Sequence, residues 1–535
     1  MTVAFGRVRP WIAAAVAVLL LDAAVTFENV WPTPAVRWTG AISIELAVVV
    51  LALALSHALN RSVSRAALWW LSALWMLLTI GRYAEVTAPA LYGRDVNLYW
   101  DARFIPDVAA MVIRVAPLWM VIGAVAAAAV VLWLVHFIVR WSFARINDVT
   151  ASPPARRLLS VLAIAAVAGF VIGRFGSRAE TKSGHVLFPQ PVVETYAHQL
   201  TLVVRAVAKP KTLPPSPAMP SAFARVRGAD VFLVFIESYG AISYAPRLAA
   251  DLAPARAQLQ ADIDATGRLI ASALVRSPTF GGSSWLAHIT LLSGIEVREP
   301  DTNALLMTQH RDTLVKAFSR AGFRTVGLMP GLRQRWPEGA FYGFDEIYGA
   351  DALAYRGPEF GWFAIPDQFA LARFDELEAK RTAQPRFVMF PTISTHFPFR
   401  PTPPYQPDWT RMMLEKPYDG PSIVRAYARQ PDWVNFVPGY VEAISYDFAV
   451  LGGYLRRHAD RDLVMILIGD HQPPAAVSGP GAGWDVPVHV IASRRPILDR
   501  LIARGFRAGL QPDTMTLGSM HELLPILVDA FGDGP

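Results

Sequence analysis

Not one cysteine occurs in the 535 residues of the chain. Disulfides, thiolate metal sites and cysteine nucleophiles are therefore excluded, and any part outside the cytoplasm must be held by its own core. Charge is scarce too, with 17% of residues charged against 53% hydrophobic. The formal charge is +7, yet the basic residues are scattered among acidic ones. Without a lysine/arginine block or a basic stripe interleaved with aromatics, no nucleic-acid partner is expected. Internal repeats are absent, and the only biased tract is the proline-rich KPKTLPPSPAMP at 209–220. What the chain has in excess is apolar sequence, and much of it lies before residue 177.

Five apolar runs stand there, at 10–27, 39–59, 66–83, 108–139 and 157–176. A helix needs about 20 apolar residues to span the hydrocarbon core, so residues 1–176 are expected to form a membrane domain of five transmembrane helices. The first run follows Arg7 and Arg9 and lacks a small-residue cleavage site, which favours an uncleaved anchor over a signal peptide. Arginines gather at the N-terminus, in the second loop (Arg61, Arg65) and in the fourth (Arg140, Arg145, Arg156, Arg157). In the intervening loops they are few or diluted by Glu85, Asp95, Asp101 and Asp107. The positive-inside bias then places everything after residue 176 outside the cytoplasm. A multi-pass protein of a bacterial inner membrane with an extracytoplasmic domain is the expectation.

Residues 177–228 read as a linker, with a surface helix at 193–208 before the prolines. From residue 229 the pattern changes again. Apolar strands VFLVFIE (231–237), LIASALV (269–275), FRTVGLM (323–329), RFVMFPTI (386–393), DLVMILIGD (462–470) and PVHVIAS (487–493) alternate with helical stretches. Buried strands alternating with helices predict an α/β domain over 229–535, its mostly parallel sheet sandwiched between helices. Functional groups of such sheets collect outside the carboxyl ends of the strands.

Four places meet that condition. Glu237 ends the first strand in VFIESYG. Ser283 and Ser284 open a helix in FGGSSWLAHITLLSG, and His396 follows a strand in PTISTHFPF. Asp470 and His471 close another in ILIGDHQPP. Glu237, Asp470 and His471 offer oxygen and nitrogen donors suited to Zn²⁺ or, with more oxygen, Mn²⁺, and a serine oxygen completes a tetrahedral set. One divalent ion there would make the serine an alkoxide nucleophile near neutral pH. A helix starting at that serine also favours a phosphate at the same point.

In these motifs the sequence resembles the sulfatase-like part of the alkaline phosphatase superfamily, and within it the lipoteichoic acid synthase and phosphoglycerol transferase branch. The resemblance implies that Glu237, Asp470 and His471 are metal ligands and that His396 contacts the substrate phosphate. Anchored on Leu292-Ser293-Gly294, it places the nucleophile on Ser284, with Ser283 as the fallback. Serine stands where the family usually has threonine, and His288 where it has an acidic residue. Arg335 and Trp336, in LRQRWPEG, fall about where the family contacts substrate, and His288 joins them as a substrate contact.

The implied function is metal-dependent transfer or hydrolysis of a phospholipid-derived head group. A membrane phospholipid is the expected donor, and the acceptor is an envelope glycan, a lipid or water. A phosphoethanolamine transferase is the nearest alternative, although relatives of that kind carry disulfides and this chain has no cysteine. Sulfuric ester hydrolysis would require a formylglycine motif, matched literally only by Ser152-Pro153-Pro154-Ala155-Arg156, far from any catalytic strand. A non-catalytic membrane scaffold is the remaining class.

Overall fold

The computed structural model describes residues 2–176, 187–208, 212–220, 222–334, 336, 338–379 and 384–532. Two compact units emerge, one of residues 1–91 and 95–209, the other of 92–94 and 210–535.

The first unit is helical. Its helices are α1 (Thr2–Thr26), α2 (Ile44–Ala58), α3 (Arg65–Tyr92), α4 (Leu98–Val115), α5 (Leu118–Thr150), α6 (Pro153–Gly176) and α7 (Val192–Ala208). Among the described residues, two helices are long and apolar enough to cross a membrane, over Leu118–Thr150 and Pro153–Arg174. The expectation of five spans is corrected accordingly. The apolar parts of α1 and α2, Pro10–Thr26 and Ile44–Ala58, are shorter. Helix α3 has the length, but Arg82, Glu85 and Pro89 interrupt its second half. The fourth run is not one helix, because Pro117 cannot donate to the ladder and divides it between α4 and α5. Two buried side chains of this unit donate to carbonyls: Trp75 Nε1 to Leu21 O at 3.2 Å, and Arg82 Nε to Phe27 O at 2.9 Å.

The second unit is built on a nine-stranded sheet. Its strands are β1 (Asp230–Ile236), β2 (Leu269–Arg276), β3 (Arg324–Leu328), β4 (Glu346–Tyr348), β5 (Arg386–Pro391), β6 (Leu463–Gly469), β7 (Asp485–Ala492), β8 (Arg507–Ala508) and β9 (Thr516–Ser519). Their order is β8-β2-β7-β6-β1-β5-β3-β4, with β9 beside β2. Every residue of β1 is buried. The two-residue period of a strand sends Val231, Leu233 and Phe235 into one core and Phe232, Val234 and Ile236 into the other. Apolar layers on both faces explain why β1 and β6 are uninterrupted hydrophobic runs.

The sheet is mixed, with five of its eight strand pairings parallel and three antiparallel. β1 runs parallel to β5 and β6, and β3 parallel to β4 and β5. β7, however, lies antiparallel between β6 and β2. The reason is local: residues 470–484 contain only the four-residue helix Ala475–Ser478. A parallel return needs a long crossover; the chain instead re-enters the sheet from the edge it has just left. The outcome serves the site, since the carboxyl ends of β1, β2, β5 and β6 and the start of β7 share one edge.

The prolines of the predicted linker belong to this unit. Met219 is buried, Leu213 packs on the core, and Arg311 donates to Pro214 O at 2.7 Å. Phe223 then stacks on Phe318 with ring centroids 4.1 Å apart.

Candidate metal-assisted active site

Each element at the shared edge delivers one side chain. β1 stops at Ile236, and the turn after it is held by Ser238, a non-glycine residue at φ 60°. That strained backbone aims Ser238 N at Asp470 Oδ1, 2.8 Å away, and lets Ser238 Oγ donate to Glu237 Oε1 at 3.1 Å. Strand β6 ends in Gly469, where any Cβ would collide with Tyr239 O, so the β1 and β6 turns approach as only glycine permits. Asp470 and His471 follow at once, and His471 N donates to Asp470 Oδ1 at 2.6 Å. Ser277 Oγ, just past β2, donates to Asp470 O at 2.5 Å.

After β2 the chain runs through Gly281 and Gly282 into the helix that begins at Ser284.

 In chain order Pro246–Ala265 is α8 and Ser284–Ser293 is α9, so the loop from β2 delivers its serine at the head of α9. Thr279 Oγ1 ties that loop to Gly282 O at 2.6 Å, and Gly281 N donates to Gln472 O at 3.1 Å. Ser283 precedes the helix at φ 61°, and its side chain makes no capping hydrogen bond. Ser284 is the residue that faces the cluster.

The distances are short throughout. Ser284 Oγ donates to Glu237 Oε2 at 2.7 Å and lies 3.2 Å from His471 Nε2. His471 Nε2 is 3.4 Å from Glu237 Oε1 and 3.6 Å from Asp470 Oδ2. One ligand atom each from Glu237, Asp470 and His471 fall within 4.8 Å of one another. All three residues are buried, at 8%, 1% and 1% exposure.

A proton count shows what this cluster is built to hold. His471 Nδ1 is 2.8 Å from Gln472 O, an acceptor only, so that nitrogen carries the proton and Nε2 presents a lone pair. The Ser284 proton is committed to Glu237. Asp470 Oδ2 is buried without a hydrogen-bond partner. Lone pairs therefore outnumber protons in a dry place, which is costly unless a cation joins them. The donors fit one divalent ion, with Glu237, Asp470, His471 and Ser284 Oγ around it.

Burial, and after it the Glu237 charge, push Asp470 well above the ordinary carboxyl range. Burial would also raise Glu237, but the His471 and His396 rings and the nearby Asp470 and Ser284 groups hold it at about 2. Burial lowers His471, keeping its ring neutral as a ligand must be.

The other expected residues divide. His396 lies after β5 with Nδ1 2.7 Å from Phe397 O, and its ring is within electrostatic reach of Glu237 and His471. His288 sits one turn along α9 from Ser284, its ring centroid 4.4 Å from that of Phe235. Its Nε2 is buried without a partner, and burial pushes its pKa down to about 4. Trp336 packs against Tyr342 with centroids 5.1 Å apart, and none of its described contacts is with the cluster. Arg335 lies outside the described residues. His489 is a buried strand residue, 2.6 Å from Ser272 Oγ and 3.1 Å from Tyr239 OH.

Two contributors carry no sequence signal. Ser238 is one, and Thr392, whose hydroxyl accepts from Glu237 N at 3.2 Å, is the other. Both act through hydrogen bonds between strand ends that are distant in sequence. Their positions just past apolar strands were the only available hint.

The family model described as Sulfatase matches residues 291–488, well under half of the chain. The matched segment contains His396, Asp470 and His471, and it starts just after Ser284. No curated protein matches. Among solved structures, the chain is similar to lipooligosaccharide phosphoethanolamine transferase A of Neisseria meningitidis, at 16% identity and a TM-score of 0.46, over 96% of this chain and 95% of that one. It is similar to the lipoteichoic acid synthase LtaP of Listeria monocytogenes at 14% identity and a TM-score of 0.36, over 54% of this chain and 70% of that one. The phosphoglycerol transferase GacH of Streptococcus pyogenes is similar at 10% identity and a TM-score of 0.35, over 57% of this chain and 75% of that one.

Proposed function

We propose, taking as premise that the second unit carries a sulfatase-family domain of the alkaline phosphatase superfamily, that the chain is a membrane-anchored, metal-dependent phosphotransferase or phosphodiesterase acting on phospholipid head groups. The observation that carries this reading is Ser284 Oγ, within hydrogen-bond distance of both Glu237 and His471 at the head of a helix.

Bound between Glu237, Asp470, His471 and Ser284, a divalent ion (zinc or manganese) would lower the serine pKa and offset charge on the phosphate. Glu237 holds the Ser284 proton in the resting state and orients the oxygen. The Ser284 oxygen attacks phosphorus, an Oγ–P bond forms, and the ester bond to the lipid alcohol breaks. The proton released by Ser284 ends on that departing alcohol. An acceptor hydroxyl or water then attacks the same phosphorus, the Oγ–P bond breaks, and Ser284 regains a proton from the acceptor. His396 and His288 face the substrate phosphate, and the N–H groups at the head of α9 favour an anion there.

The test is incubation of the purified full-length chain with zinc and vesicles of phosphatidylglycerol or phosphatidylethanolamine, followed by mass spectrometry of the peptide holding Ser284. A phospho-head-group adduct on Ser284 is expected, and its mass identifies the donor. Turnover that survives Ser284→Ala would overturn the assignment. Failure to take up metal after supplementation would leave the scaffold class.

A further inference from the structure

Behind the site lies a second pair of buried carboxyls that the proposed reaction does not use. Asp367 opens the helix Asp367–Glu378, and Asp447 lies within the helix Val437–Arg457. They are 0% and 1% exposed. Asp367 accepts from Ile393 N, 3.0 and 3.1 Å from its two oxygens, and from Ser394 N at 2.7 Å. Its own N–H donates to Ser394 Oγ at 3.2 Å. Asp447 Oδ2 accepts from Thr395 Oγ1 at 3.4 Å, while Oδ1 is buried without a conventional partner. The carboxyl beside it is that of Asp367.

We propose that Asp367 and Asp447 share one proton and act as positioning residues, clamping the Thr392–His396 loop so that Glu237 and His396 are held in working geometry. Two like charges side by side in a dry interior are not both ionised. The hydrogen bonds say which carboxyl keeps the proton. Backbone N–H groups can only donate, and both Asp367 oxygens receive them, so Asp367 is the carboxylate. Asp447 faces a threonine hydroxyl and the Asp367 carboxylate, so the proton sits on Asp447.

The clamp reaches the site by two routes from a single loop. At one end Thr392 Oγ1, 3.4 Å from Thr395 Oγ1, receives the N–H of Glu237 at 3.2 Å. At the other end stands His396, its N–H bonded to Ile393 O at 3.2 Å. Every residue of the loop from Thr392 to Thr395 is thus bonded to one of the two acids or to a neighbour that is.

The kinetic part of this inference rests on the function proposed above; the metal-binding part does not. The test compares Asp447→Asn, Asp447→Leu and Asp367→Asn in the full-length chain, with zinc affinity, kcat and thermal unfolding measured on each. An amide at 447 can donate to Asp367 and accept from Thr395, so Asp447→Asn should stay within about threefold of the parent. Leucine fills the space but cannot bond, so zinc affinity and kcat should fall roughly 10- to 100-fold at temperatures well below unfolding. Asp367→Asn should fall similarly, because its amide NH2 would set a donor against the Ile393 N–H that Oδ1 now accepts.

Equal behaviour of the two asparagine variants would overturn the proton assignment, and this comparison stands even if the leucine variant does not fold. A leucine variant as tight-binding and active as Asp447→Asn would overturn the clamp. A parent chain that binds zinc but leaves every phospholipid intact would sink the proposed function alone, because zinc affinity still judges the clamp.

Discussion

At Asp470 the resting chemistry of the site can be measured directly. Its pKa is raised above the ordinary carboxyl value of 3.8 by burial and by Glu237. The folded, metal-free chain therefore keeps this proton at a pH where the unfolded chain has lost it. The stability so gained is complete below the ordinary carboxyl range and is lost as pH rises through the folded value. A divalent ion needs the carboxylate, so binding at a pH below the folded value must expel the proton. Calorimetric titration of the chelated protein with zinc, in two buffers of different ionisation enthalpy, should show net proton release. Asp470→Asn should abolish that release and weaken zinc by more than the roughly 10- to 100-fold typical of losing a residue that merely orients a ligand. Zinc affinity unchanged by Asp470→Asn would mean that Asp470 is not a ligand.

Elements decide which of two adjacent serines can react. The αL backbone of Ser283 turns the chain from the glycine loop into α9, and its side chain makes no capping bond. Glycine occupies that backbone region freely, so Ser283→Gly should keep activity and leave thermal stability equal or higher, by up to about 1 kcal/mol. Ser284→Ala should abolish turnover. Loss of activity in the Ser283 variant, seen beside a normal melting curve, would return the fallback nucleophile to consideration. The contrast also shows what the sequence could convey. β1, β2, β5 and β6 were legible because each is an apolar run closed by a polar residue, and those closures placed Glu237, Asp470 and His471. The direction of β7 was not legible: PVHVIAS reads alike in either sense, and only the lack of a crossover helix after His471 sets it. Nor could sequence separate Ser283 from Ser284 without the backbone angle. The long run at 108–139 misled because composition there hides one proline.

For the whole molecule, the open matter is which side of the membrane holds the second unit, and the missing cysteines make it tractable. A single introduced cysteine gives the only thiol in the chain. Met515, 78% exposed, reports on the second unit, and Ser152, exposed between α5 and α6, reports on a loop that the positive-inside bias assigns to the cytoplasm. Of the two helices long and apolar enough to cross, only α6 lies between these two positions, so the comparison holds whether two helices cross or five. In bacteria whose outer membrane has been made permeable, an impermeant maleimide should label Met515→Cys before lysis and Ser152→Cys only afterwards. The reverse pattern would place the proposed site in the cytoplasm, where it could draw head groups only from the inner leaflet. An acceptor on the outer face would then be out of reach, whatever chemistry Ser284 performs.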